Sequence, residues 1–280
     1  MNIKITADST CDLSQELVKK YDIAILPLSV VKGDKSFKDG VDIIPADIFE
    51  HVANGGDLCS TAALNAGEYE EFFADFSKDY DGVVHINIGS NFSCCYQNAC
   101  IAAEDFENVR VVDSQNLSTG QGLVVLKACE LAQTCTSLDE LHAQLQAFTE
   151  KVEASFLLDQ LKYMVKGGRC SSAAALGANL LNLKPCIEVK NGKMSVVKKY
   201  RGNYAKCLAN YVKDRLCNRD DLDYGTLFVT NTPVNDECLQ AVMDAVSAAP
   251  TFENTYHTDA GCTVSCHCGP ATLGVLFVRK

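Results

Sequence analysis

The sequence predicts an α/β chain: an N-terminal domain built on a parallel sheet, then a C-terminal α+β domain whose sheet is mainly antiparallel. Three observations carry this. In the first half an apolar run passes three times through a small polar corner into a helical pattern. Strands apolar on both faces that alternate with helices imply a parallel sheet covered on both sides. Beyond about residue 150 the pattern changes, and Asn191-Gly192 between two alternating runs suits a type I′ hairpin turn. No low-complexity linker separates 1–150 from 151–280, so the two domains are expected to share an interface, where ligands commonly bind.

"NIKITADST" leads into "CDLSQELVKKY", where Asp12 and Gln15 have capping-box spacing. "IAILPLSVV" reads as a further strand and "NAGEYEEFFADFSKDY" as an amphipathic helix. "GVVHINIGS" then leads into "NFSCCYQNACIAAEDF", and "NVRVVDSQN" into "GQGLVVLKACELAQ". In the second half "SFLLDQLKYMVKGG" reads as a strand and a short helix stopped at Gly167 and Gly168. "AALGANLLNL" reads as an apolar helix and "PCIEVKNGKMSVVKKY" as the hairpin. A helix ("NYAKCLANYVKDRL"), a strand ("YGTLFVT"), a helix ("NDECLQAVMDAVSAA") and two terminal strands complete the domain.

Bulk composition narrows the classes. A formal charge of -11 argues against nucleic acid, because that binding rests on neutralising phosphates with Lys and Arg. No signal-peptide pattern follows Met1, and the apolar runs fall short of the ~20 residues of a membrane span. A cytoplasmic protein is expected, monomeric, with at most transient membrane contact. Fifteen cysteines, scattered through helix and strand patterns, read as free thiols that pack as small hydrophobes.

The corner "GSNFSCCYQNAC" carries the first chemical signal. Ligands of open parallel sheets bind beyond the carboxyl ends of the strands, and Ser93 follows such an end. As an N-cap, its hydroxyl and the free N–H groups behind it would suit a monoanion such as a carboxylate. Cys94 and Cys95 fall in the first helical turn, where a thiol pKa is lowered. The nearest base in sequence is His85, which lies mid-strand. Asp8 and Asp113, each ending a strand before a serine, are expected to bind loop N–H groups. In "GCTVSCHCG" a strand over 263–268 would set His267 opposite Cys266 and Cys268, which argues against a metal.

The chain resembles the DegV family of fatty-acid-binding proteins over essentially its whole length. The likeness rests on an ordered set of segments. In the first half these are "DSTCDLS", "YDIAILPLSV", "FKDGVDI", "GSNFSCCYQNA" and "VVDSQNLSTGQG"; in the second, "LKYMVKGGRCS", "LLNLKPCIEVKNGK" and "GPATLGVLF". The resemblance implies a two-domain protein, not itself an enzyme, that buries a long acyl chain in a tunnel with the carboxylate at its mouth. A separate fatty acid kinase subunit brings ATP and phosphorylates that carboxylate, and the acyl phosphate feeds phospholipid synthesis. The protein itself needs no cofactor.

By the same resemblance, Thr61 and Ser93 hydrogen-bond the carboxylate. Arg201 and His267 stand at the pocket mouth and support phosphotransfer. The chain departs from the family pattern beside both hydroxyls. Thr61-Ala62-Ala63-Leu64 stands where Thr-Ser-Gln-Pro is usual, and Ser93-Cys94-Cys95-Tyr96 where Ser-Gly-Thr-Tyr is usual. The rival reading is an enzyme, either a small-molecule phosphotransferase or a Cys-dependent hydrolase using Cys94 or Cys95. Against a nucleotide enzyme, no G-x-x-x-x-G-K-[ST] loop is present.

Overall fold

A computed structural model describes residues 1–176 and 183–280. In chain order the first half contains β1 (Ile3–Asp8), α1 (Gln15–Lys20), β2 (Ala24–Leu26), β3 (Ser29–Lys32), β4 (Lys35–Lys38), α2 (Pro45–Ala53), β5 (Ser60–Ala62), α3 (Ala66–Ser77), β6 (Gly82–Asn87), α4 (Cys95–Ala103), β7 (Val109–Asp113), α5 (Thr119–Ala132) and α6 (Leu138–Thr149). The second half contains β8 (Val152–Leu157), α7 (Lys162–Gly167), α8 (Ser171–Ala174), β9 (Leu183–Lys190), β10 (Lys193–Arg201), α9 (Tyr204–Leu216), β11 (Leu222–Asn231), α10 (Asp236–Ser247), β12 (Asn254–Asp259), α11 (Cys262–Cys268) and β13 (Leu273–Arg279).

The parallel sheet runs β2-β1-β6-β7. All six residues of β6 are buried, as a central strand covered on both faces requires. The six-stranded sheet runs β10-β9-β8-β13-β11-β12 and is antiparallel except for the β11–β12 pair. The β9–β10 hairpin turns at Asn191 and Gly192, both at positive φ (50° and 69°), as a type I′ turn demands. Gly168 ends α7 in the left-handed conformation at φ 70°. One apolar cluster runs through both halves, including Val84, Leu123, Phe156, Phe228 and Leu276. Helix α5 lies between the two sheets, which is why most of its residues are buried.

Several expectations are corrected. "IAILPLSVV" is two strands, because Pro27 sits between β2, in the parallel sheet, and β3. β3 instead joins a small antiparallel sheet, β4-β3-β5, which together with α2 and α6 the periodicity reading missed. Helix α1 is capped by Ser14, whose Oγ accepts the Leu17 N–H, and not by Asp12. Asp12 adopts φ 50°, and its carboxylate accepts from Ser118 Oγ and the Gly261 N–H instead. The 263–268 segment is helical and not a strand, as α11. "AALGANLLNL" contributes only the end of α8 here, since its residues 177–182 lie outside the described residues.

Candidate functional site

Helix α11 is short, and three residues from distant segments fix its start. Asp39 accepts the Cys262 N–H through Oδ1 (2.8 Å) and the Thr263 N–H through Oδ2 (3.0 Å). Asp12 accepts the Gly261 N–H at 2.8 Å, and Ser9 Oγ donates to Asp39 at 3.1 Å. Carboxylates at a helix N-terminus satisfy its unpaired N–H groups and oppose its positive end. Burial pushes the Asp12 carboxyl up to about 8, against the lowering effect of the bonds from Ser118 and Gly261. Gly269, at φ 77°, and Pro270 end the helix.

So anchored, α11 turns Thr263, Val264, His267 and Cys268 toward a cavity of about 120 Å³. Leu28, Ile88, Phe92, Leu117 and Met194 make its walls mostly apolar. Thr61, Ser93, Cys94 and Arg169 also face it. A smaller apolar space of about 30 Å³ continues from the shared residues Leu117, Val264 and Cys268 toward Phe156 and Leu276 of the six-stranded sheet. A wider cleft of about 390 Å³ elsewhere is lined by Lys20, Lys127, Glu130, Asp223 and Glu253, where an acyl chain would meet charges.

The sequence-derived residues divide in an unexpected way. Thr61, Ser93 and His267 come together, and His267 Nε2 lies 2.9 Å from Thr61 Oγ1. Arg201 is not among the described residues lining the cavity. It ends β10, seven residues along the strand from the lining residue Met194. Among the described residues the cation at the cavity is Arg169, which sequence reasoning passed over. Its Nε donates to Phe92 O (3.1 Å) and its Nη1 to Gly167 O (2.7 Å). Its place directly after the glycine stop of α7 was the available signal.

Ser93 is not the N-cap residue: α4 starts at Cys95, with Cys94 in the cap position. Ser93 Oγ still accepts the Cys95 N–H (3.2 Å) and donates to Cys95 Sγ (3.1 Å). A thiol is a weak acceptor, so the hydroxyl proton is easily redirected to an anion. Asn98 Nδ2 donates to Leu64 O at 2.6 Å and ties α4 to the chain that follows Thr61.

Burial, with a smaller push from the Arg169 charge, lowers the His267 pKa to about 4, so the ring is neutral near pH 7. Its Nδ1 is buried without a partner among the described residues, and a Cβ on Gly167 would lie 2.4 Å from it. With no acceptor at Nδ1, the single ring proton belongs on Nε2, donating to Thr61 Oγ1. The Thr61 O–H is then free to donate into the cavity.

The thiols do not assemble a nucleophile. Cys95 is buried and its pKa is raised by that burial; Cys94 is exposed. His85 sits under Tyr69, Phe72 and Phe73, bonds Thr6 Oγ1 through Nδ1 (2.8 Å), and has its pKa lowered by burial to about 3. It is no base for either thiol. Cys262 and Cys266 pack with Cys59, Val30 and Ile48, whereas His267 turns to Thr61, so these thiols and the imidazole diverge. Asp8 accepts the Thr10 and Ile88 N–H groups, and Asp113 those of Ser90 and Gln115, as the sequence reading expects.

Comparison with known proteins agrees with this architecture. The family model described as "Uncharacterised protein, DegV family" matches residues 2–280. A DegV domain-containing protein of Clostridium acetobutylicum is 33% identical over 283 residues, covering 99% of each chain. A fatty-acid-binding DegV family protein from Thermus thermophilus superposes with a TM-score of 0.89 at 26% identity, covering 100% of both chains. DegV of Bacillus subtilis, described as a fatty acid binding protein, gives 0.82 at 25% identity, again over 100% of both. The chain belongs to the DegV family.

Proposed function

We propose that this protein binds a long-chain fatty acid in the cavity between α11, α4 and β5 and presents its carboxylate to a separate kinase subunit, which phosphorylates it to an acyl phosphate. The observation that carries the reading is one apolar cavity with the Thr61 and Ser93 hydroxyls and the Arg169 cation on its wall. Fatty acid binding by the Thermus thermophilus and Bacillus subtilis relatives supports it.

The chemistry follows from the side chains. About 14 methylenes of a C16 chain, at ~0.8 kcal/mol each, gain on the order of 11 kcal/mol on burial. Association costs of ~4–15 kcal/mol offset much of this, so the head-group contacts tune the affinity. Thr61, oriented by His267, donates to one carboxylate oxygen. Ser93 turns its proton from Cys95 Sγ to the carboxylate, exchanging a weak acceptor for an ionised one. Neither hydroxyl forms an ion pair, so a carboxylate oxygen stays available as the attacking atom for a phosphoryl donor. Arg169 adds positive charge at the side where negative charge accumulates during transfer.

The test has two arms. Solvent extraction of the purified protein is expected to release a fatty acid in near-stoichiometric amount. With hexadecanoic acid the protein alone hydrolyses no ATP, while addition of a fatty acid kinase subunit yields acyl phosphate. A protein free of lipid that also ignores added fatty acid in calorimetry would refute the reading.

A further inference from the structure

A chain of buried polar groups leads from the parallel sheet to Ser93. Asp8 and Asn87 end the neighbouring strands β1 and β6, Tyr69 lies on α3 and Cys95 on α4, and all four residues are fully buried. Four N–H groups converge on the Asp8 carboxylate: those of Thr10 (3.0 Å), Ile88 (2.6 Å), the Gln121 amide (3.1 Å) and the Asn87 amide (3.2 Å). The second Asn87 N–H donates to Tyr69 Oη at 2.9 Å. Tyr69 Oη in turn bonds the Cys95 thiol, whose sulfur lies 3.1 Å from Ser93 Oγ.

The directions of these bonds follow from the donors available. A carboxylate only accepts, so Asp8 holds the Asn87 amide with its nitrogen inward, although this leaves Asn87 Oδ1 without a partner among the described residues. The reverse orientation would set oxygen against oxygen. With both amide protons committed, the Tyr69 hydroxyl accepts from Asn87 and gives its own proton to Cys95 Sγ. The acceptor beside the thiol proton is then Ser93 Oγ. A phenylalanine at position 69 would make the same ring contacts with Phe73 and His85 without a buried hydroxyl to satisfy. Cys95 stands where the family usually has threonine, and both side chains carry one proton on an atom that also accepts.

We infer that Tyr69 and Cys95 are positioning residues of the carboxylate site, held in register by Asp8 and Asn87. With ligand bound, every donor points the same way: Asn87 to Tyr69, Tyr69 to Cys95, the Cys95 thiol to Ser93, and the Ser93 hydroxyl to the carboxylate. Bonds that run in one direction polarise and strengthen one another. Ser93 Oγ then accepts from both the N–H and the S–H of Cys95 and gives its proton to the ligand, which uses its full bonding capacity. The inference rests on the fatty-acid reading above and adds what directs the Ser93 proton toward the ligand.

The experiment measures dissociation constants of hexadecanoic acid and its methyl ester with wild type, Tyr69→Phe, Cys95→Ala, Cys95→Ser, Ser93→Ala, and Ser93→Ala combined with Tyr69→Phe or with Cys95→Ala. Tyr69→Phe should lower the preference for the acid over the ester about two- to fivefold, in keeping with a weakened bond to a charged acceptor. Cys95→Ala should lower it to a similar extent, whereas Cys95→Ser, which keeps a proton and an acceptor, should retain it. In the Ser93→Ala background neither further change should move the preference, because the chain then ends short of the ligand. A purely structural role would weaken acid and ester together and would do so with or without Ser93. An acid-to-ester ratio unchanged by Tyr69→Phe, or lowered equally in both backgrounds, overturns the inference and leaves fatty acid binding intact. Should Tyr69→Phe fail to fold, the Cys95→Ala cycle is read by the same criteria. Failure of hexadecanoic acid itself to bind wild type overturns both.

Discussion

His267 Nε2 and Thr61 Oγ1 lie 2.9 Å apart, joining residues 206 positions distant in the chain. The resemblance assigned His267 to transfer and Thr61 to the head group, but this bond makes them one unit. His267→Ala should therefore weaken fatty acid binding, because Thr61 loses the donor that orients it. Thr61→Val removes a hydrogen bond to a charged acceptor, worth ~1.5–3 kcal/mol. The double variant should lose clearly less than the sum of the two single losses. Strict additivity in calorimetric titrations would mean that the two residues act separately.

Gly167 keeps His267 in place. A methyl group there would lie 2.4 Å from Nδ1, so Gly167→Ala must displace the ring. Binding should fall about as far as in His267→Ala, with a stability loss of ~1–3 kcal/mol from overpacking. Fatty acid titration and denaturant unfolding of the same variant separate the two effects. Unchanged binding would show that the position of the ring does not matter.

The two larger sheets and most helices were legible in the sequence because periodicity and glycine turns are local signals. What escaped depends on contacts between distant segments. Helix α11 reads as a strand because its cap, Asp39, lies over 200 residues away, and its short run of Cys, Val and Thr favours β structure. Ser93 was marked by its place past the end of β6, whereas Thr61 was found through the family pattern, since nothing local marks β5 as part of a site. Arg201 came from the family pattern, and only the fold shows that Arg169 is the cation lining the cavity among the described residues.

The two cations should differ accordingly. Arg169→Ala is expected to lower fatty acid affinity by ~0.2–1 kcal/mol, an effect that shrinks with added salt, because the side chain is exposed. Arg201→Ala should leave affinity at the wild-type value. Equilibrium binding at two salt concentrations checks both, and a loss confined to Arg201→Ala would reverse the assignment.

Stability should depend on pH on both sides of neutrality. Asp12 is raised by burial from the ordinary carboxyl range to about 8, so between those values the folded chain holds a proton that the unfolded chain has lost. That contribution is complete below about 4 and disappears as pH rises through 8. His85 and His267 act in the opposite sense. Burial lowers them to about 3 and about 4, so their contribution is present above about 6.5 and disappears as pH falls through those values. In denaturant unfolding from pH 4 to 9, Asp12→Asn should flatten the decline between about 6.5 and 8 and steepen the acid decline below about 6.5, where Asp12 opposes the histidines. An alkaline limb identical to wild type would contradict the Asp12 assignment.

Cys94, the one exposed thiol among the free cysteines, lines the cavity beside Ser93. Under native conditions a maleimide should label it first, and hexadecanoic acid should slow the reaction. Cys94→Ser should retain fatty acid binding, and loss of binding in that variant would revive a direct role for the thiol. Peptide mapping by mass spectrometry reads the labelled site.

The central claim is the place of the carboxylate. A crystal structure of the complex with hexadecanoic acid tests it most directly. The carboxylate oxygens are expected within hydrogen-bonding distance of Thr61 Oγ1 and Ser93 Oγ, with the chain running past Leu117 and Val264 toward Phe156. A chain bound in the opposite direction, or outside the space between α11 and α4, would contradict the account.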